Sequence, residues 1–283
     1  MIQQHLNKLL CSGKSLTTVK DVRLIWNQIL DFAISNKILD SNPSKETKIK
    51  SRAKAEHTEE CFFLSPDLRK ELLSAVNGNA ILKPIITTLL LAGLRSGELL
   101  ALRWKYIHFD ESTILIEEAV TTKPEINDDG KRTGNKSIIS DPKTDSSIRC
   151  IIIPESLITV LIECKEHQQA EEIKCGKELT AKDNFVFCNR FGEMRNYSGY
   201  RSLFRRFIKA NGFEKYGIHP HTLRHTYATM LLEAGENPKV VQQTLGHNDI
   251  KTTLGTYSHV IYEVFESAAN NLDVMYKRMA VGL

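Results

Sequence analysis

The 283 residues, 41% hydrophobic and 25% charged, hold enough apolar material for one large or two modest globular domains and exclude a chain that is disordered overall. A net charge of +4 does not by itself demand a nucleic-acid partner, yet residues 1–55 carry ten Lys/Arg against four Asp/Glu, which leaves the remainder slightly acidic. Six cysteines without a Cys-x-x-Cys pair indicate neither a disulfide framework nor a zinc site, and the longest apolar run, residues 85–92, is far short of the roughly 20 residues a membrane span requires. The opening Met1-Ile2-Gln3-Gln4-His5 has no basic-then-apolar leader, so the expectation is a cytoplasmic protein with reduced thiols and no membrane partner.

In chain order, residues 15–36 have helical spacing, with Val19, Val22, Ile25, Trp26, Ile29, Leu30 and Ala33 on one stripe and Trp26 and Phe32 expected in the core. Asp40-Ser41-Asn42-Pro43 stops that helix, and the basic, weakly apolar stretch after it reads as a linker. The expected division is residues 1–44, a small helical unit; 45–62, the linker; and 63–283, the main domain. Ser65-Pro66-Asp67 starts a helix with a Ser cap, a Pro at its first position and an acid in its first turn. A largely buried helix follows over 81–92 and ends at Gly93. Ser96 can cap the next helix, which puts Arg95 in the tight turn between the two, with Glu98 near enough to be its ion-pair partner.

From Ser112 the period changes. Residues 113–120, 137–140 and 147–153 read as three strands, with the polar segment 121–136 between the first two taken as a long hairpin extension or a mobile loop. Lys143 sits in the turn before the third strand. Residues 156–174 and 200–210 are helical, and Arg201, Arg205, Arg206 and Lys209 give the second of these a basic face that either tracks phosphates or is simply solvated.

The stretch 221–257 gathers three imidazoles, a guanidinium and a phenol: His221-Thr222-Leu223-Arg224-His225, Leu245-Gly246-His247, and Tyr257. If Thr222 opens a helix, His221 and Arg224 lie close on its first turn, where free backbone N–H groups also favour an anion. Asn237-Pro238 starts a further helix and Gly246 ends it, two turns that can fold His247 and Tyr257 back towards Arg224. His225 is taken as packing or support.

Three boxes in this order, His-x-x-Arg, Leu-Gly-His and a Tyr ten residues after that His, resemble the C-terminal motifs of the tyrosine recombinases, the phage-integrase-like site-specific DNA recombinases. Gly93-Leu94-Arg95-Ser96-Gly97-Glu98 matches the family's first arginine box. The resemblance implies that Arg95 binds the scissile phosphate while Glu98 orients it, and that Lys143 is the family's β-hairpin lysine reaching into the active site. The implied fold is mainly α with a small three-stranded antiparallel sheet, a catalytic domain preceded by a short helical core-binding domain. Residues 1–44 supply fewer helices than that domain usually has.

The chemistry expected of such a site needs a nucleophile, charge neutralisation, a base and an acid. Tyr257 would attack phosphorus to give a 3′-phosphotyrosine and a free 5′-hydroxyl, conserving the bond for rejoining. Arg95 and Arg224 would hold the non-bridging oxygens. His221 is the expected proton acceptor, Lys143 the acid for the 5′-oxygen, and His247 a hydrogen-bond donor to the phosphate. No cofactor and no metal ligands are expected. Lys14, Lys20, Arg23, Lys48, Lys50, Arg52, Arg201 and Arg205 are the candidate contacts to double-stranded DNA.

The resemblance further implies a cyclic homotetramer on DNA with possible DNA-bending accessory proteins. Integration or excision of a mobile element is the favoured purpose. A dimer-resolving recombinase, a type IB topoisomerase-like enzyme and a non-cutting DNA-binding protein are the alternatives.

Overall fold

The computed structural model describes residues 1–49, 62–140, 148–176, 181, 183–257 and 274–275. The chain divides into two compact units, residues 1–60 and 61–283. In the first, α1 (Ile2–Cys11) packs on α2 (Leu16–Ser35), whose N-terminus is capped by the Ser15 hydroxyl accepting from the Thr18 N–H at 3.1 Å. The segment after α2 folds back across both helices. Asn42 donates to the Asp31 carboxylate at 2.9 Å, and the Lys48 N–H and C=O are both met by the Gln3 amide, at 2.8 and 2.9 Å. Ser44 and Thr47 are the buried residues of this strap, together with Asn42. The rest of the stretch expected to be a linker, 50–61, lies outside the described residues.

Only part of the α2 stripe is covered. Val19 is buried, but Trp26 is half-buried, meeting His5 edge-on with ring centroids 6.3 Å apart, and Phe32 is 69% exposed together with Ile25 and Ile29. The expectation of Phe32 in the core is corrected: one ten-residue helix and a short strap cannot cover an apolar stripe that runs the length of a 20-residue helix.

The second unit is built around α4 (Leu82–Ala92), which is apolar on nearly every side and therefore buried almost all round, from Leu82 through Ile85, Ile86 and Leu89 to Ala92. Against it pack α3 (Pro66–Val76, capped by Ser65 as its sequence demands), α6 (Glu155–Cys175) and α8 (Pro220–Glu233). Gly93 ends α4 at φ +61°, and a Cβ there would lie 2.2 Å from the Tyr227 ring on α8. The turn to α5 (Ser96–Ala101) thus needs glycine both for its left-handed backbone and for the closeness of α8.

The strands form two sheets. β1 (Ile107–His108), β2 (Thr113–Ile116) and β5 (Arg149–Ile152) make a three-stranded antiparallel sheet in the order β1-β2-β5, with Thr113 opposite Ile152 and Ile116 opposite Arg149. β3 (Ala119–Ile126) and β4 (Arg132–Ser140) make a separate antiparallel hairpin. Two expectations are corrected here. The strand predicted over 113–120 is broken at Glu117-Glu118, where Glu118 turns to Arg103 at 2.9 Å, and residues 137–140 pair with 119–122 instead of joining the three-stranded sheet.

The segment 121–136 is that hairpin. Beyond Val120 both its strands are largely solvent-exposed, so they carry no apolar alternation to announce them. Its base is fixed by α5: a Cβ on Gly97 would lie 2.6 Å from the Val120 carbonyl oxygen, so the helix and β3 backbones touch directly.

α7 (Tyr197–Ala210) begins three residues before its predicted start, because the Asn196 side chain caps it by accepting from the Gly199 N–H at 2.6 Å. It buries Tyr200, Phe204, Phe207 and Ile208 and leaves Arg201, Arg205, Arg206 and Lys209 exposed. α9 (Pro238–Leu245) and α10 (Ile250–Thr256) follow α8. Among the described residues no helix is long and apolar enough to cross a membrane.

Gly93→Ala should destabilise the second unit by roughly 2–4 kcal/mol, since it combines a left-handed backbone with a clash against a buried ring. Thermal unfolding measures this. A loss below about 0.5 kcal/mol would show that α4 and α8 can separate at no cost.

Candidate active site

The turn between α4 and α5 presents Arg95 as the residue preceding the helix, and the Glu98 carboxylate reaches back to accept its N–H at 2.7 Å. Ser96, expected to cap, is already inside the helix; the carboxylate does that work instead. Glu98 is 5% exposed and gathers guanidiniums from three separate elements. Arg95 Nη1 donates to Oε1 at 2.8 Å; Arg149 donates to Oε1 at 2.9 Å and to Oε2 at 2.8 Å; Arg224 Nη1 lies 4.0 Å from Oε2. Burial alone would push this carboxyl up. The paired bonds from Arg149, the charges of Arg149 and Arg224, and the Arg95 N–H outweigh it and hold the group at about 2.

The same three arginines take three consecutive carbonyls at the end of α9. Arg149 Nε donates to Thr244 O at 2.8 Å, Arg224 Nη2 to Leu245 O at 2.6 Å, and Arg95 Nη2 to Gly246 O at 2.7 Å. These are carbonyls that a helix C-terminus leaves without intrahelical partners, and the negative end of the helix dipole favours cations there. Asn237, Pro238 and the left-handed Gly246 bound α9 as their sequence predicts. Arg224 Nη1 also donates to Gly93 O at 2.6 Å, which ties α8 to the α4 turn.

α8 opens earlier than expected. His219 is the cap, its Nδ1 accepting from the Thr222 N–H at 3.2 Å while the Thr222 hydroxyl accepts from the His219 N–H at 3.3 Å, with Pro220 at the first position. His221 therefore stands exposed in the first turn, and Arg224, one turn deeper, is 2% exposed.

Tyr257 follows α10 and is buried at 1% exposure in a small apolar cluster with Tyr227, Ala228, Leu232, Val241 and Leu245. Its phenol oxygen is 2.8 Å from His225 Nδ1. The His221 and His225 rings meet edge-on with centroids 4.5 Å apart. The sequence reading set His225 aside as packing and expected His221 nearest the phenol; the structure places His225, one turn further along the same face of α8, against the phenol. His247 lies just past Gly246, its Nδ1 3.0 Å from the Thr253 hydroxyl and its carbonyl accepting from Gln242 at 2.9 Å.

The imidazoles sit in a cationic field. Burial, then His221 and Arg224, push His225 down to about 4, and burial, then Arg224 and Arg95, do the same to His247. His221 is shifted down by burial and by Arg224. All three are held towards the neutral form.

Of the other predicted residues, Lys143, Lys50 and Arg52 lie outside the described residues. Lys14, Lys20 and Lys48 are exposed and Arg23 half-buried on the first unit, while Arg201 and Arg205 are exposed on α7. Among the described residues no group of three or more His, Cys, Asp or Glu is placed to hold a metal ion. Arg149 was missed. An arginine heading an isoleucine-rich strand is a charge that burial obliges to find a partner, and that was the available clue.

Residues 63–263 match the model of the phage integrase family. The chain belongs to that family. It is 31% identical over 281 residues, 97% of this chain and 70% of the other, to a XerC-like tyrosine recombinase of Caldanaerobacter subterraneus subsp. tengcongensis. It is 27% identical to the ICEBs1 integrase of Bacillus subtilis, covering 94% of this chain and 67% of that one. Its fold is similar to that of the Tn1549 transposon integrase in complex with a circular intermediate DNA, with a TM-score of 0.71 at 24% identity over 96% of this chain and 84% of that one. It is similar also to a lambda integrase dimer bound to a core site, with a TM-score of 0.57 at 18% identity over 92% and 78% of the two chains. The recombinase is thus an enzyme that cleaves and rejoins DNA strands at specific sites, and DNA is its partner.

Within the cluster, three guanidiniums face one carboxylate, so positive charge is in excess around a rigid frame of donors. An unfolded histidine binds its proton near 6.5, whereas His225 and His247 do so only near 4 in the folded chain. Between those values the unfolded state binds more protons, so stability falls as pH is lowered from 6.5 to 4. Glu98 is silent in most of that window, its contribution being lost only as pH falls from about 4.5 towards 2. The unfolding temperature should therefore decline from pH 7 to pH 4, and more shallowly in a His225→Asn/His247→Asn variant. An equal slope in both proteins would contradict the neutral imidazoles.

Proposed function

We propose that this chain is the recombinase of a mobile genetic element and that Tyr257 is its nucleophile. The observation that carries the assignment is the buried Glu98 with Arg95 and Arg224 fixed around it, beside a phenol held 2.8 Å from a neutral imidazole. Arg95 and Arg224 bind the non-bridging oxygens of the scissile phosphate and stabilise the charge that grows on them in the phosphorane-like transition state. The Tyr257 oxygen attacks phosphorus, its proton passing to His225 Nδ1. The bond to the 5′-oxygen breaks, and Lys143 supplies the proton that this oxygen needs to leave. Rejoining runs the same steps backwards from a new 5′-hydroxyl. His247 donates to the phosphate, and His221 stands at the exposed rim beside His225, where it orders the imidazole that receives the proton.

The first unit serves as the helical core-binding domain, whose lysines and Arg23 contact the duplex, and Arg201 and Arg205 on α7 are the contacts proposed for the second unit. Working recombinase is a cyclic tetramer on its sites in the cytoplasm, associated with the nucleoid when bound. The ICEBs1 integrase and the transposase from transposon Tn916, both similar to this chain, support the mobile-element assignment.

Incubation with the joined ends of the element, followed by denaturation, should leave DNA strands linked to the protein through a 3′-phosphate. Tyr257→Phe should abolish the adduct and keep DNA binding; an adduct that persists would exclude Tyr257. Arg224→Ala should slow cleavage about 100- to 1,000-fold, in line with the loss of a preorganised donor. The apparent second-order rate of adduct formation should stay level from pH 8 to about 5, because His225 remains neutral until pH falls through about 4. A limb above that of His225 but below pH 6.5 that disappears in His221→Asn would transfer the acceptor role to His221.

A further inference from the structure

We propose that Arg149 is a positioning residue for DNA cleavage: it fixes Glu98 in the pose from which Arg95 and Arg224 are presented, and it clamps the end of α9 that carries His247. This rests on the functional reading above and extends it to a residue outside the recognised boxes. Arg149 opens β5, and its side chain is 8% exposed. Its two terminal nitrogens take both Glu98 oxygens, at 2.9 and 2.8 Å, and its Nε takes Thr244 O at 2.8 Å. One planar fork therefore links the sheet, the α5 carboxylate and the α9 terminus.

The fit is close on the far side as well, since a Cβ on Gly246 would lie 3.0 Å from Arg149 Nη1. The glycine that ends α9 thus also leaves room for the guanidinium.

A lysine can carry the charge and cannot make this fork. Packing alone would be indifferent to that distinction, whereas positioning would not. The groups that face Glu98 are Arg95 on its own element, Arg224 on α8 and Arg149 on β5; Tyr227 and His247 in turn feel the charge of Arg149. Without Arg149 the carboxylate keeps its burial and loses its paired bonds, so it takes up a proton at higher pH than in the native chain. Cleavage in such a variant is then lost as pH falls through that raised value.

The test compares the wild type, Arg149→Lys and Arg149→Gln in the full chain on suicide DNA substrates, with affinity and single-turnover adduct formation measured separately and folding followed by thermal unfolding. Arg149→Lys should slow cleavage about 10- to 100-fold while Kd changes less than about threefold. Arg149→Gln should in addition acquire an acid limb at higher pH than any limb of the wild type, which Glu98→Gln on the same background removes. A cleavage rate unchanged in Arg149→Lys, or a Kd weakened as much as the rate, overturns the proposal.

Wild-type protein that binds and forms no adduct would instead overturn the functional reading. Carboxylate NMR of Glu98 in the DNA-free proteins still decides this inference in that case: a resonance that titrates at higher pH in Arg149→Gln supports it, and one that does not move refutes it.

Discussion

The second unit depends on one buried carboxylate. Glu98 is where α5, α8 and β5 send their guanidiniums, and those guanidiniums in turn take the last carbonyls of α9. Burying a charge is costly unless it is paired and hydrogen-bonded, so each partner is held in place by the penalty that its departure would impose. Polar groups from four parts of the chain are thereby fixed in one frame. Such a frame is a poor way to gain stability compared with apolar packing. Its merit is that donors held rigidly before substrate arrives need not reorganise when charge develops on a phosphate.

That frame also sets the chemistry of its neighbours. Burial first, and then the nearby guanidiniums, lower the proton affinity of His225 and His247, which leaves His225 neutral beside the phenol at neutral pH. The apolar cluster around Tyr257 leaves that residue only 1% exposed. The glycine at 246 turns the chain sharply enough to bring His247 back beside the arginines. Placement of His247 and of the Tyr257 phenol thus follows from where two short helices end.

Much of this was legible before any coordinates. The Ser65-Pro66 start, the apolar run of α4, the Asn237-Pro238 start and the Gly93 and Gly246 stops are local signals with local causes, and each was read correctly. The pairing of Arg95 with Glu98 was read from their spacing. What stayed hidden is what only tertiary structure decides. Arg149 is 51 residues from the carboxylate it grips, and His225 is 32 residues from the phenol it meets. The β3–β4 hairpin has polar residues on both faces and is stabilised by pairing with itself, so the alternation that betrays a half-buried strand was never written into it. Phe32 shows the reverse error, since an apolar residue at helical spacing is buried only if something arrives to cover it.

The two sheets explain why the hairpin and the strand beside the site follow different rules. β2 and β5 pack isoleucines into the main core, so their register is set by burial: a slip of one residue would turn Ile114 and Ile151 outward and withdraw Arg149 from Glu98. The outer hairpin has almost no buried side chains beyond Val120, and its base is located by the direct contact of Gly97 with the β3 backbone. Sequence can therefore change along the hairpin at little cost to the core, provided that residue 97 stays small. The strand that delivers Arg149 has no such freedom, because its apolar register and its one buried charge must be correct together.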